Sequence, residues 1–212
     1  MGKNHPENFN ESALSDETKF NNQYRIKSTR LPYWDYRWNA CYFVTICTID
    51  HEPFFGDVIN EKMHLSKIGE IAETCWRAIP QHFSFVELGE HIVMPNHLHG
   101  IIIIQNDDHD IKQNEIKNVR PISLQEGYGG VSKNEIKKFM SSISPKKGSL
   151  SAIIRSYKSA VTRESRLLRS DFTWQSRFYD HIIRDDVSFQ RISEYIIANP
   201  LKWGRGQFYY PV

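Results

Sequence analysis

The 212-residue chain is 40% hydrophobic and 25% charged, a balance that predicts one globular domain, with or without appendages, and excludes a fibrous or wholly disordered protein. Its longest aliphatic run, Ile101 to Ile104, falls far short of the roughly 18 apolar residues of a membrane span, and residues 1–10 hold no apolar signal core, so a cytoplasmic location without membrane contact is expected. The net charge of +2 hides an asymmetry: residues 145–212 carry twelve Lys/Arg against six Asp/Glu, which suits either a phosphate-backbone binder or an ordinary solvated helix face. Three cysteines, Cys41, Cys47 and Cys75, cannot all pair and lack zinc-type spacing, as expected of reduced thiols.

Residues 1–30 are polar, rich in Asn, Glu and Ser, and read as an N-terminal tail. Cys41 to Ile49 is β-branched and aromatic and predicts a buried strand, followed by a short hairpin or meander over Phe54 to Leu65. Ser66 then offers an N-cap to a helix whose apolar face is Ile68, Ile71, Ala72, Cys75, Trp76 and Ile79. Val86 to Met94 and Leu98 to Ile104 predict two strands broken by the turn signal Pro95-Asn96.

Residues 106–148 are dominated by Asp, Asn, Lys, Ser and Gly and predict a polar insertion or linker, mostly disordered. A second amphipathic helix begins near Ser149 with Leu150, Ile153, Ile154, Tyr157 and Val161. Trp174 to Arg184 predicts a strand, and Asp185 or Asp186 caps a last helix that ends before Pro200. Strands and helices mixed in this order, without parallel repeats, predict an α+β fold: a ferredoxin-like antiparallel sheet with helices on one face.

Three segments could carry chemistry. In Pro95-Asn96-His97-Leu98-His99 the two histidines stand two apart on a strand and project from one face, where they could hold a divalent metal or form a paired surface feature of a hairpin. On the last helix Ser188, Arg191, Tyr195 and Asn199 share a side, next to a stripe of Phe189, Ile192 and Ile196; Tyr195 is either a reactive phenol on that edge or a half-buried core aromatic. The third segment, Trp174 to Arg184, alternates Arg177, Tyr179 and His181 against Phe178, Ile182 and Arg184. It is either a plain strand with exposed cations or a source of phosphate contacts.

Five stretches in order resemble the single-tyrosine HUH transposases, most nearly the REP-associated tyrosine transposase branch. They are Tyr42-Phe-Val-Thr-Ile-Cys-Thr, Val93-Met-Pro-Asn-His-Leu-His-Gly-Ile-Ile, the run from Gly148 to Thr162, Trp174 to Arg184, and Glu194-Tyr-Ile-Ile-Ala-Asn-Pro-Leu-Lys-Trp203. The resemblance runs from about residue 30 to 203, apart from the linker. It implies a single catalytic HUH-endonuclease domain assembled from 31–105 and 149–205.

By that resemblance His97 and His99 bind the metal, Mg²⁺ or Mn²⁺, with Asn199 as a further ligand, and Tyr195 is the nucleophile; Tyr157, Tyr179, Tyr209 and Tyr210 do not occupy its position. The implied activity is cleavage and rejoining of single-stranded DNA through a 5′-phosphotyrosine link. The implied partner is hairpin-forming palindromic DNA, handled by a monomer or homodimer at the bacterial nucleoid. Arg155, Lys158, Arg177, His181, Arg184 and Arg191 are the expected DNA contacts. A nucleic-acid binder without catalysis and a plain metal-binding protein are the competing expectations; a gel with Mn²⁺ and hairpin-bearing single-stranded DNA separates all three, a denaturation-resistant band marking the enzyme, a native-only shift the binder and no shift the metal protein.

Overall fold

A computed structural model describes residues 34–106 and 145–203, together with the backbone of 19–20 and 23–24. The chain divides into two units, Met1–Leu31 and Pro32–Val212. In the first, Lys19–Phe20 (β1) pairs antiparallel with Gln23–Tyr24 (β2). The remainder of the expected tail, and residues 107–144 of the expected insertion, lie outside the described residues.

The second unit is built on four strands: Ala40–Cys47 (β3), Val86–Met94 (β6), His97–Ile104 (β7) and Tyr179–Ile183 (β8). They are fully antiparallel in the order β6-β7-β3-β8. The small hairpin Gly56–Ile59 (β4) and Lys62–Leu65 (β5) forms where expected. Helix α1, Lys67–Arg77, starts on the Ser66 hydroxyl, which accepts from the Gly69 amide at 3.1 Å, and is followed by one turn, α2, Ile79–His82. Helix α3 is Leu150–Ser165, and α4, Asp186–Ile197, starts on the Asp185 carboxylate, which accepts from the Ser188 amide. Reduced to its core order, β3-α1-β6-β7-α3-β8, this is the ferredoxin-like plan with one more helix, α4, at its end.

Alternation along the strands makes two cores. Tyr42, Val44, Ile46, Leu98, Ile102 and Ile104 face α1 and α3, meeting Ile68, Ala72 and Trp76 from one and Ile153, Ile154, Tyr157 and Val161 from the other. Phe43, Ile101 and Ile183 face the other way and are covered by Ile192, Tyr195 and Ile196 of α4. Helices therefore sit on both faces, not on one. The cause is the isoleucine run of β7, which puts apolar side chains on both sides of the sheet so that each side needs a cover. Burying Ile192 and Ile196 contributes about 1.5–3 kcal/mol each, against about 1 kcal/mol for the Asp185 cap. Packing rather than capping holds α4 on the sheet.

One further boundary differs from expectation. The strand expected over Trp174 to Arg184 is ordered as β8 only from Tyr179. Thr45 pairs with Tyr179, so Thr48 would face Ser176 in continued register, yet Thr48 bridges Trp174 instead. The chain there is two residues longer than the ladder can hold, and after the Gln175 amide donates to Cys47, 176–178 leave the sheet. The helix capped by Asp185 ends before Pro200 as expected, at Ile197; after Ala198 a further short turn, α5, Asn199–Lys202, begins with the proline near its start, where a missing N–H costs nothing.

Candidate functional site

Strands β6 and β7 are joined by the tight turn Pro95-Asn96, so the first residue of β7 is His97, opposite Met94. His97 and His99 project to the α4 face with ring centroids 4.5 Å apart, and each is 1% exposed. Their burial removes the reading of a surface hairpin pair.

Around His99 the sheet register and α4 converge. Thr45 lies directly opposite on β3, with its Oγ1 2.8 Å from His99 Nδ1. The Phe43 ring, from the next row, stacks on the imidazole at 5.4 Å. From above, the Tyr195 hydroxyl comes within 3.3 Å of His99 Nε2. His97 Nδ1 lies 2.8 Å from Asn96 Oδ1, and the Trp203 ring approaches its other side at 6.0 Å.

Burial pushes the His97 imidazole down to about 3, helped by the nearby charge of His51. His99 is pushed well below the usual histidine range by burial and then by His97. Both rings are neutral at physiological pH, the protonation state in which a histidine can ligate a metal.

Tyr195 is a core aromatic whose hydroxyl nevertheless reaches a polar group. Its ring is core, edge-on to Phe43 at 6.2 Å, and its hydroxyl is at the histidine pair. The helix does not merely carry the phenol along its edge: Tyr195 belongs to the buried stripe with Ile192 and Ile196. Asn199 is also buried, at the first position of α5, while Arg191 and Ser188 lie towards the open side of α4.

The expected DNA contacts fall into two groups. His181 sits opposite Phe43 on β8, hence on the Tyr195 face, and after burial it is the positive charges of Arg184 and Arg191 that lower its pKa. Arg177 is exposed just ahead of β8. Arg155, on α3, lines a cavity of about 560 Å³ between α1, α2 and α3, on the opposite side of the sheet from Tyr195. Lys158 turns inward: its Nζ donates to the carbonyls of Gln175 at 2.7 Å and Arg177 at 3.0 Å, and burial lowers it to about 8.

Thr45 and Asn96 are site neighbours that sequence reasoning missed. Asn96 stands inside the histidine motif but carried only a turn signal, and Thr45 becomes visible only once the β3–β7 register is known.

No group of three His, Cys, Asp or Glu side chains converges among the described residues. A divalent ion at this place would rest on His97 and His99 plus a ligand of another kind, for which the buried Asn199 amide is positioned in sequence. Two neutral imidazoles and a carboxamide would make an open nitrogen–oxygen donor set, suited to a metal with vacant positions for phosphate oxygens better than to a closed structural zinc.

Comparison with solved structures places the fold. A REP-associated tyrosine transposase bound to a REP hairpin superposes with a TM-score of 0.51 at 16% identity, over 84% of this chain and 75% of that one, so the fold is transposase-like. A candidate transposase from Deinococcus radiodurans R1 aligns over 82% of this chain and 98% of its own at 13% identity, with a TM-score of 0.37, too loose to add to the argument. No family model matches the chain. It is 36% identical over 197 residues to an uncharacterized protein of Haemophilus influenzae, spanning 91% of this chain and 98% of the relative. The chain belongs to the family of that Haemophilus protein. Among the described residues no helix is long and apolar enough to cross a membrane.

Proposed function

We propose that this protein is a metal-dependent single-stranded DNA endonuclease and strand transferase, a transposase acting through Tyr195. The observation that carries the reading is the meeting, within one chain, of the Tyr195 hydroxyl with the His97–His99 pair at 3.3 Å from His99 Nε2. Structural proteins rarely bury a phenol and two neutral imidazoles in mutual contact without a task for them. A divalent metal, Mg²⁺ or Mn²⁺, held by His97, His99 and Asn199, would supply neutralisation of charge on the scissile phosphate.

The chain's own residues account for the rest. Tyr195 Oη is the attacking atom; it bonds to phosphorus, the bond to the 3′ oxygen breaks, and the phenolic proton is balanced by protonation of that departing oxygen. The product is a 5′-phosphotyrosine link and a free 3′-hydroxyl. Because the link conserves a phosphoester, a second 3′-hydroxyl reverses the step and joins strands. Phe43, stacked on His99 and edge-on to Tyr195, keeps both rings in place. Arg184 and Arg191, close enough to His181 to lower its pKa, offer positive charge to the strand entering beside Tyr195. The REP hairpin bound by the transposase of similar fold supports a hairpin-bearing strand as the substrate here.

The test is a gel of the full chain mixed with Mn²⁺ and a library of hairpin-bearing single-stranded DNA. A band that survives denaturation is the expected result. A shift seen only under native conditions indicates a binder without catalysis, and no shift refutes both.

A further inference from the structure

Asn96 is held at both ends of its amide. Its Nδ2 lies 3.1 Å from the carbonyl oxygen of His51, and its Oδ1 lies 2.8 Å from His97 Nδ1. A backbone carbonyl can only accept, so the NH₂ end must face His51; a flipped amide would set two acceptors against each other. The end facing His97 is therefore the amide oxygen, which also can only accept. His97 Nδ1 must carry the hydrogen, and the ring's lone pair is on Nε2.

His99 lacks such a determinant. Both its neighbours, the Thr45 and Tyr195 hydroxyls, can donate or accept, so either tautomer is compatible with its contacts.

The turn that presents the His51 carbonyl is itself built for the purpose. Asp50 and His51 adopt φ of 48° and 57°, the left-handed region that non-glycine residues seldom enter. The buried Thr48 holds the turn closed. Its hydroxyl lies 2.7 Å from the Glu52 carbonyl and 2.9 Å from the Asn96 carbonyl, and its amide donates to the Asn96 carbonyl at 2.9 Å. The same five-residue turn thus grips Asn96 by its backbone and by its side chain.

We infer that Asn96 is a positioning residue that fixes His97 as the Nδ1–H tautomer and reserves Nε2 for ligation, with the Thr48–Glu52 turn as its anchor. The role in ligation rests on the metal-dependent reading above; the tautomer does not.

The experiment uses the metal-free full chain labelled with ¹⁵N at histidine, and long-range ¹H–¹⁵N spectra near neutral pH, with His97→Gln identifying the His97 signals. Wild type is expected to show His97 protonated at Nδ1. Asn96→Ala should move it towards the Nε2–H form. It should also weaken Mn²⁺ binding, read from the electron-spin resonance of free Mn²⁺, by about 10- to 100-fold.

Asn96→Asp can still accept from Nδ1, so it should keep the wild-type tautomer and recover much of the affinity. An Nε2–H ring in wild type, which needs no variant to fold, overturns the inference. So does an Asn96→Ala protein that keeps the Nδ1–H form. A wild type with the expected tautomer and no Mn²⁺ affinity would refute the metal reading while upholding the tautomer assignment.

Discussion

Replacing Tyr195 by phenylalanine separates what the ring does from what the oxygen does. The ring keeps its edge contacts with Phe43 at 6.2 Å and His99 at 5.3 Å, so its buried apolar area is retained. The loss includes the hydrogen bond to His99 Nε2, and His99 is buried. Losing a partner in such a place costs about 1–3 kcal/mol, more than the bond's net worth of about 1 kcal/mol, because the group left behind has given up water. For a chain of this length that corresponds to a fall in Tm of about 2–12 °C.

The variant should therefore fold, bind single-stranded DNA, and form no covalent adduct. The controls are set by the fold. Tyr157 is buried on the opposite side of the sheet with its hydroxyl donating to the Ala72 carbonyl, and Tyr179 shares the site face beside Thr45; phenylalanine at either should leave the adduct intact. Calorimetry and a denaturing gel, with mass spectrometry of the trapped peptide, make the measurement. An adduct that persists in Tyr195→Phe, or maps to Tyr157 or Tyr179, refutes the assignment. An unchanged Tm would show that the Tyr195–His99 bond is not formed.

At Gly100 an added Cβ would lie 2.3 Å from Cζ2 of the fully buried Trp76, so Gly100→Ala should cost at least about 1–3 kcal/mol. Shortening the tryptophan in a Gly100→Ala/Trp76→Phe double variant should cost less than the sum of the single changes if the clash is the cause. In fluorescence anisotropy across a salt series, Arg184→Ala and Arg191→Ala should each reduce the slope of log affinity on log salt by up to about 0.7 for a single strand. Lys158→Met should leave that slope unchanged, because its ammonium is occupied by the carbonyls of Gln175 and Arg177. The Glu73 carboxylate is held below its usual range by hydrogen bonds from His91 and Arg77. A depressed carboxylate stabilises the fold above its unfolded pKa near 4.5 and loses that contribution as pH falls further, so Glu73→Gln should flatten acid denaturation below that point; equal acid sensitivity in both proteins would remove the pair from the account.

Much of this arrangement is legible in the chain because it is local. Ser66 and Asp185 announce two helices by capping chemistry, and each helix face follows from spacing alone. The histidine pair's shared face follows from the two-residue period of a strand. What periodicity does not contain is which side of the sheet a helix will cover, and here that choice makes the site. The Ile101 to Ile104 run held the relevant signal: four consecutive aliphatic residues in a strand require apolar cover on both faces, and α1 with α3 can supply only one. Helix α4 had to take the other, the face that His97 and His99 share.

This also explains why Tyr195 is buried rather than displayed. A phenol in a helix's core stripe is tolerated only where its hydroxyl finds a partner, and the partner available on that face is His99, 96 positions away in the chain. The apolar contacts of Ile192 and Ile196 that hold α4 to the sheet are consequently the same contacts that deliver the hydroxyl to the imidazole. Stability and reactivity are thus coupled at this helix. Trimming Ile192 or Ile196 should move Tyr195 as well as loosen the core, whereas trimming Ile153 or Val161 on the opposite face would loosen the fold while leaving the Tyr195–His99 approach in place.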